Sequence, residues 1–497
     1  MTSARVEHRP HEDAPHGLAM GPRVSRRGLL GSAAATTVAA SFLSGVAAAP
    51  AGAQGQGAPR TPNGSGLTFS VQERDRRWAA VRSGMGEPWN LDAIVAGMPD
   101  EGVGNYLVPV FNAWGDGAAS GPVVFARSES EPVNLILPDG DLAVAYALEG
   151  GLDRWTADGR LVISGGDAVP TVVSRLKELG ARRVGLAELT NLRVAPEGAT
   201  RWKTFEALRA ELPNVEFVEI ERWKVDPPVP GPIAAAAMVK GPEELQVVRR
   251  CVSAGEQAID AIVRAARAGA KTVADVWHPA YLAMFEETGE PPVRLSIALD
   301  DPGNAGYGAP RPVPLREGQI INEEISAGVQ GYGAQVNQSI FIGGTRTPGY
   351  DYFKTATNAA AQSVLDAISF INENLGDATT GDLIGHVLEK ARANGTEQKP
   401  SGVWIHTDGK DPLPRPRLGA RDIDPTRPPE DRDGDDNIKI VPGMAFDWKP
   451  RFAMDPEVIR DVLPKNRAVQ VGVNIIVTDR GAERVGTRKL APLRTRG

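Results

Sequence analysis

Residues 315–344 read LREGQIINEEISAGVQGYGAQVNQSIFIGG. The stretch is strand-like: short apolar runs, several of them β-branched, broken by Gly-Tyr-Gly. Successive side chains of a strand point to opposite faces, so Gln335 and Asn337 share a face. The same reading applies to VRLSIALD (293–300), GMAFDWKPRFAM (443–454) and NRAVQVGVNIIVTDRGAERV (466–485). In the second of these, Asp447 and Lys449 share a face. Helical patterns flank these strands. KGPEELQVVRRCVSAGEQAIDAIVRAARAGAKT (240–272) sets Leu245, Val248, Val252, Ile259, Ile262 and Ala266 along one face behind a Pro-Glu-Glu start. Further helices are expected at about 272–288, 354–374 and 380–394. The Pro- and charge-rich stretch 415–437 reads as a surface loop.

Upstream the pattern changes. GPVVFAR (121–127), VNLILP (133–138), RRVGLAEL (182–189) and NVEFVEIE (214–221) read as strands. AVPTVVSRLKELGA (168–181) and TRWKTFEALRAELP (200–213) read as helices between them. Strand–helix alternation predicts an α/β layer domain over 67–228. VDPPVPGP (225–232) breaks the pattern and separates it from a second domain over 236–497.

A chain of 497 residues, 41% hydrophobic and 24% charged, has the profile of a soluble globular protein large enough to need no covalent staples. A single cysteine, Cys251, excludes an intramolecular disulfide. The formal net charge is −7, and no basic cluster follows the leader, which argues against nucleic acid and anionic membranes as partners. A small or cationic partner is easier to accommodate. The leader itself, SRRGLLGSAAATTVAASFLSGVAAAPAGAQ (25–54), pairs Arg26 and Arg27 ahead of a short apolar run and small-residue cleavage candidates. It reads as a twin-arginine export signal over 1–53 rather than a membrane anchor, followed by a disordered leader over 54–66. The expected location is periplasmic or extracellular. Three histidines lie beyond it: His278, His386 and His406. His278 and His386 sit in helical patterns and read as structural.

In this order the segments resemble the creatinase/aminopeptidase P/methionine aminopeptidase family. The resemblance is carried by MVKGPEEL (238–245), the quoted 315–344 stretch, GVWIHTDG (402–409), VPGMAFDWKP (441–450) and AVQVGVNIIVTDRGAERV (468–485). It implies a mixed α/β (α+β) chain with a creatinase-like N-terminal α/β domain and a C-terminal pita-bread domain. It also implies a homodimer in which one subunit's N-terminal domain reaches its neighbour's site. Metal-dependent members of the family bind two divalent ions through two Asp, one His and two Glu. Carried onto this chain, those positions are Glu324, Gln335, His406, Lys449 and Gly472. Two further family histidines fall near Tyr307 or Gly308 and near Leu413.

Two close divalent cations need anionic oxygens to offset their mutual repulsion, and here an ammonium replaces one carboxylate and a glycine another. The resemblance therefore implies a metal-independent site. His406, Glu324 and Lys449 are the expected catalytic residues, and Gln335, Asp447, Tyr332 and Tyr307 the substrate-binding ones. No cofactor is expected; the weaker alternative is a single Mn, Co or Zn on Glu324, His406 and a nearby aspartate. The expected activity is hydrolysis or elimination on a small amide, guanidino or betaine-like molecule. Two alternatives stand beside it: a non-catalytic protein that binds a small ligand or short peptide, and an Xaa-Pro aminopeptidase with a reduced ligand set.

Overall fold

The computed structural model describes residues 69–96, 122–137, 159–187, 202–220, 229–300, 307–329, 332–394, 400–407, 409–410, 417–419, 435–453 and 468–496. All of them belong to one compact unit, Arg60–Gly497. The segment read as an export leader, the stretch that follows it and the first half of the Pro-rich break, 225–228, lie outside the described residues. Among the described residues no helix is long and apolar enough to cross a membrane.

The described residues open with helix α1 (Val71–Gly84), which the apolar pattern does not announce. Its buried side chains include Glu73, Arg74 and Arg77 beside Trp78 and Val81, so charged residues fill places where the pattern expects apolar ones. A six-stranded sheet follows: β1 (Ala93–Ala96), β2 (Val123–Ala126), β3 (Val133–Leu137), β4 (Gly159–Ile163), β5 (Arg183–Leu186) and β6 (Glu216–Glu219). The order across it is β4-β3-β2-β1-β5-β6. The β1–β2 and β2–β3 pairs are antiparallel and the other three are parallel. Helices α2 (Val169–Glu178) and α3 (Trp202–Glu211) bring Val172, Leu176 and Leu208 against one face, on Val95, Val124 and Leu186. Trp78, Val81 and Met85, with Ile233 and Ala236 of α4 (Pro232–Met238), cover the other face on Ile94, Phe125 and Leu135. Buried on both sides, β1 (AIVA), β2 (VVFA) and β3 (VNLIL) are nearly continuous apolar runs rather than alternating ones. Pro232, the last residue of the break, starts α4, where its missing N–H costs nothing.

Among the described residues the second half holds four long helices and an eleven-stranded sheet. The helices are α5 (Pro242–Arg267), α6 (Val273–Thr288), α7 (Tyr350–Glu373) and α8 (Thr380–Ala393). α7 starts a turn earlier than its pattern suggests because Tyr350 and Phe353 pack on Phe341. The strands are β7 (Arg294–Leu299), β8 (Ile320–Val329), β9 (Tyr332–Gln338), β10 (Ile340–Phe341), β11 (Pro400–Thr407), β12 (Gly409–Lys410), β13 (Arg417–Gly419), β14 (Ala445–Ala453), β15 (Ala468–Thr478), β16 (Gly481–Arg484) and β17 (Leu493–Arg494). The main path runs β13-β11-β14-β15-β9-β8-β10-β17, with β7 paired to β8, β12 to β9 and β16 to β15.

All four helices pack on apolar side chains of alternating sheet positions. Ile321, Ile325, Tyr332, Ala334 and Val336 join Val248, Cys251, Val252, Ile259 and Met284 of α5 and α6. Phe446, Trp448, Phe452, Val469, Val471, Val473 and Ile475 join Phe353, Ala360, Val364 and Ile384 of α7 and α8. The intervening positions carry the polar set: Glu324 and Ser326, Gln335 and Asn337, Asp447, Lys449 and Arg451, Gln470 and Asn474. Period two thus sorts the sheet into a helix-covered apolar side and a polar side. Glu323 breaks the rule: it takes a position between Ile321 and Ile325 and is fully buried.

Candidate functional site

The polar side is assembled from β7, β8, β9, β14 and β15. Lys449 stands at its centre, buried, and its Nζ donates to Gln335 Oε1 at 2.9 Å. The same Nζ lies 3.6 Å from Asp447 Oδ2 and 3.7 Å from Glu324 Oε1. Burial lowers the Lys449 ammonium below its ordinary value, while the charges of Asp447 and Glu324 pull the other way. Glu324 also faces Arg294, whose Nη2 is 2.5 Å from Oε2, and Arg451, whose Nη2 is 3.5 Å from Oε1. Arg451 Nε donates to Gln470 Oε1 at 2.9 Å, and Gln470 Nε2 donates to the Glu323 carbonyl at 3.0 Å. Asn474 Nδ2 donates to the Gln335 carbonyl at 2.6 Å, pinning the strand that carries the Lys449 partner.

Local backbone geometry makes this arrangement. Pairing between β14 and β15 runs through Asp447–Asn474 and Trp448–Val473, skips Lys449 and Pro450, and resumes at Arg451–Gln470. Pro450 has no N–H to give to the ladder. Opposite the gap, Val471 and Gly472 pair with Gln338 and Asn337 of β9. A Cβ at Gly472 would overlap the Asn337 Oδ1, so the amide of Asn337 occupies the space a side chain at 472 would need. Asn337 is itself held, its Nδ2 donating to the Glu323 carbonyl.

Of the residues expected from sequence, Glu324, Gln335, Asp447 and Lys449 come together. His406 is placed through its backbone: it pairs with Asp447 across β11 and β14, two positions along from the pairing of Trp404 with Lys449. Its side chain, and all of Asp408 and Leu413, lie outside the described residues. Tyr332 goes elsewhere. It is three residues from Gln335 and so faces the helix-covered side, where its hydroxyl donates to Glu244 Oε1 at 2.7 Å and its ring packs on Phe69. Tyr307 is exposed and pairs with Ile297 at the edge of β7, its N–H donating to the Ile297 carbonyl at 2.7 Å. His278 is exposed on α6 beside Trp277, and His386 stacks on Phe370 between α7 and α8. Arg294, Arg451, Gln470 and Asn474 were not anticipated. Three of them were legible by parity, since Arg451 is two residues beyond Lys449, and Gln470 and Asn474 flank Gly472 at the same spacing. Arg294 required the β7–β8 register, which sets it opposite Ser326.

These residues do not fit a pair of divalent cations. An ammonium stands among the oxygens that would have to bind them, and Asn337 closes the place of a carboxylate at 472. Among the described residues, no group of three or more His, Cys, Asp and Glu side chains is arranged to hold an ion.

No protein-family model and no curated protein matches the sequence. Solved structures do match. An Xaa-Pro dipeptidase from Bacillus anthracis aligns with a TM-score of 0.59 at 15% identity, over 85% of this chain and 99% of its own. The dipeptidase PepE from Mycobacterium ulcerans gives 0.58 at 17% identity over 86% and 99%, and the prolidase from Pyrococcus horikoshii OT3 gives 0.58 at 14% over 83% and 98%. The chain has the pita-bread fold that these peptidases share, as the motif order 238–485 implied.

Proposed function

We propose that this chain is a metal-independent member of the pita-bread hydrolases, cleaving a C–N bond in a small amide-type molecule. The observation that carries the reading is the placement of Lys449, whose ammonium lies within 2.9–3.7 Å of Gln335, Asp447 and Glu324. A fixed positive charge there polarises a substrate carbonyl and stabilises the oxyanion formed on attack, the task that a preorganised cation performs in acyl transfer. Glu324, one-fifth exposed between Arg294 and Lys449, faces the accessible end of the group and is the nearest described base for an attacking water. His406, opposite Asp447 in the strand pairing, is the second candidate base. The fold of the peptidase neighbours supports hydrolysis as the reaction type; the ammonium of Lys449 and the glycine at 472, at positions that the family resemblance assigns to carboxylate ligands, support chemistry without metal.

Elemental analysis of protein purified without chelators, paired with turnover of small amides in the presence and absence of Mn, Co or Zn, tests this directly. The expected result is turnover at near-zero metal content that added ions do not raise. Lys449→Glu should abolish it, although that change moves toward the family's ligand set. Stoichiometric metal, with turnover that tracks it, would overturn the reading in favour of a peptidase with fewer ligands. Saturable binding with no turnover would favour a non-catalytic ligand-binding protein.

A further inference from the structure

The β17 end of the eleven-stranded sheet gathers cations that the sequence keeps far apart. Arg264 and Arg267 lie in the last turn of α5. Lys271 follows, its carbonyl accepting from the Leu315 N–H at 2.8 Å, so that Arg316 stands close by. The Gly318 N–H donates to the Ile342 carbonyl at 2.7 Å, and Thr347 Oγ1 donates to Glu317 Oε1 at 2.8 Å, which bring the loop carrying Arg346 alongside. From the C-terminal strand, the Arg494 carbonyl accepts from Arg267 Nε at 3.2 Å, and Arg494 Nη1 donates to the Tyr350 hydroxyl at 2.9 Å. Five of these six cations are exposed and Arg494 is half-buried. None of the six forms an ion pair among the described residues. The carboxylates of the same segments are fewer and partly committed. Glu317 pairs with Arg496 at 3.0 Å, and Asp275 accepts from the Lys271 and Thr272 N–H groups. Asp260 lies one turn before Arg264, while Asp351 and Lys354 of α7 offset each other. Seven cations, Arg496 included, thus stand against three carboxylates in a chain whose formal net charge is −7. The negative end of the α5 dipole accounts for Arg264 and Arg267 but not for the others.

We propose that this end of the molecule is a docking surface for a linear phosphodiester polymer. It shares no residue with the group around Lys449 and does not depend on the function assigned to that group. Five of the six cations are arginines, whose planar forks meet phosphate oxygens in pairs. They are spread over a helix end, two loops and an edge strand, an arrangement that suits an extended partner with repeated charges. The negative charge elsewhere on the chain is screened beyond about 8 Å at physiological ionic strength, so the local excess governs contact. Two other polyanions fit less well. The exposed large apolar side chains of the described residues, such as Trp202, Leu282, Phe285 and Leu365, all lie outside segments 264–271, 315–319, 343–350 and 493–496. The surface therefore offers nothing to insert into a bilayer and no exposed ring on which a base would stack.

Titration calorimetry of the full chain with poly(glycerol phosphate) tests the proposal. Saturable binding is expected, with an affinity that falls with salt by a log–log slope of about −0.7 per phosphate contact. Arg316→Glu combined with Arg346→Glu reverses two exposed side chains that make no hydrogen bond or ion pair among the described residues. That variant should bind at least about tenfold more weakly, with a slope shallower by about 1.4 for two lost contacts. Lys203→Glu combined with Lys390→Glu makes the same change in net charge at exposed positions of α3 and α8 and should leave affinity within about twofold. Lack of saturable binding at about 50 mM salt, or equal affinity losses in the two double variants, would overturn the proposal. So would polyglutamate binding as tightly as the phosphodiester polymer, a single-stranded oligonucleotide of equal charge binding more tightly, or binding confined to phosphatidylglycerol vesicles.

Discussion

At position 472 a side chain would collide with Asn337, whose amide nitrogen is engaged by the Glu323 carbonyl and cannot swing away freely. Gly472→Ala should therefore cost about 1–3 kcal/mol, the usual range for overpacking a filled interior. Combining it with Asn337→Ala should recover part of that loss, and urea unfolding of the single and double variants measures the coupling. Lys449 makes a sharper case. Substituting Met leaves the buried Asp447 and the neighbouring Glu324 without the ammonium that separates them. Removing one partner of a buried ion pair typically costs about 3–5 kcal/mol, so Lys449→Met should show a loss of that order in the same measurement. The residues that carry these effects were nameable from the motifs, because Glu324, Gln335 and Lys449 stand at fixed offsets in recognisable segments. Tyr332 was misplaced for a simple reason. Its distance of three from Gln335 puts it on the opposite face of the strand, and the parity that grouped Gln335 with Asn337 excludes it.

Strand β8 shows what an element adds to its residues. Glu323 alternates onto the same side of the strand as Ile321 and Ile325, which α5 and α6 cover, so one carboxyl is buried, with the Gln338 N–H donating to it. Burial pushes Glu323 up to about 8, against the opposing hydrogen bond from the Gln338 N–H and the charge of Arg488. This folded-state value lies above the ordinary 4.5 of a glutamate. The stability gained from holding the proton is therefore complete below about 4.5 and is lost as pH rises through about 8. Glu323→Gln keeps the shape without titrating, so its stability should rise relative to the native protein by roughly a few kcal/mol between about pH 5 and pH 9. Urea midpoints of the two proteins across that range provide the check, and parallel curves would refute it. No sequence pattern distinguishes Glu323 from Glu324 as a buried acid and a site residue; only the side on which the helices pack does so.

At the scale of the whole molecule, the two sheets are tied by charge as well as by apolar packing. Ser70 and Arg76 of the first segment reach Glu243 and Glu244 at the start of α5, the Ser70 N–H donating to Glu243 Oε2 at 2.8 Å. Arg77, wholly buried, pairs with Glu73 at 2.8 Å and Glu244 at 3.3 Å, and its guanidinium lies over the rings of Phe69 and Tyr332 at 4.4 and 5.6 Å. Burial by itself raises the Glu73 carboxyl, but the hydrogen bonds and charges of Arg76 and Arg77 together outweigh it and hold the group below its ordinary value. Arg77→Ala leaves Glu73 and Glu244 paired with Arg76 and should lower stability by about 1–3 kcal/mol, read as a fall in the thermal midpoint. A substitution at an exposed position of the same helix, such as Gln72→Ala, should move it less.

Local pattern alone settles most of the elements and how each is sided, α1, β1 and β4 excepted. Period-two alternation, helical stripes and motif order are local, set by where consecutive side chains point, and they sufficed for the pita-bread fold and for Glu324, Gln335, Asp447 and Lys449. Tertiary structure alone decided which side of each strand the helices would cover, and so which carboxyl is buried and which faces the site. It also brought in Arg294 through strand register and filled the space beside Gly472 with Asn337. Each of these depends on atoms far apart in sequence occupying one volume, and neither composition nor spacing encodes that exclusion.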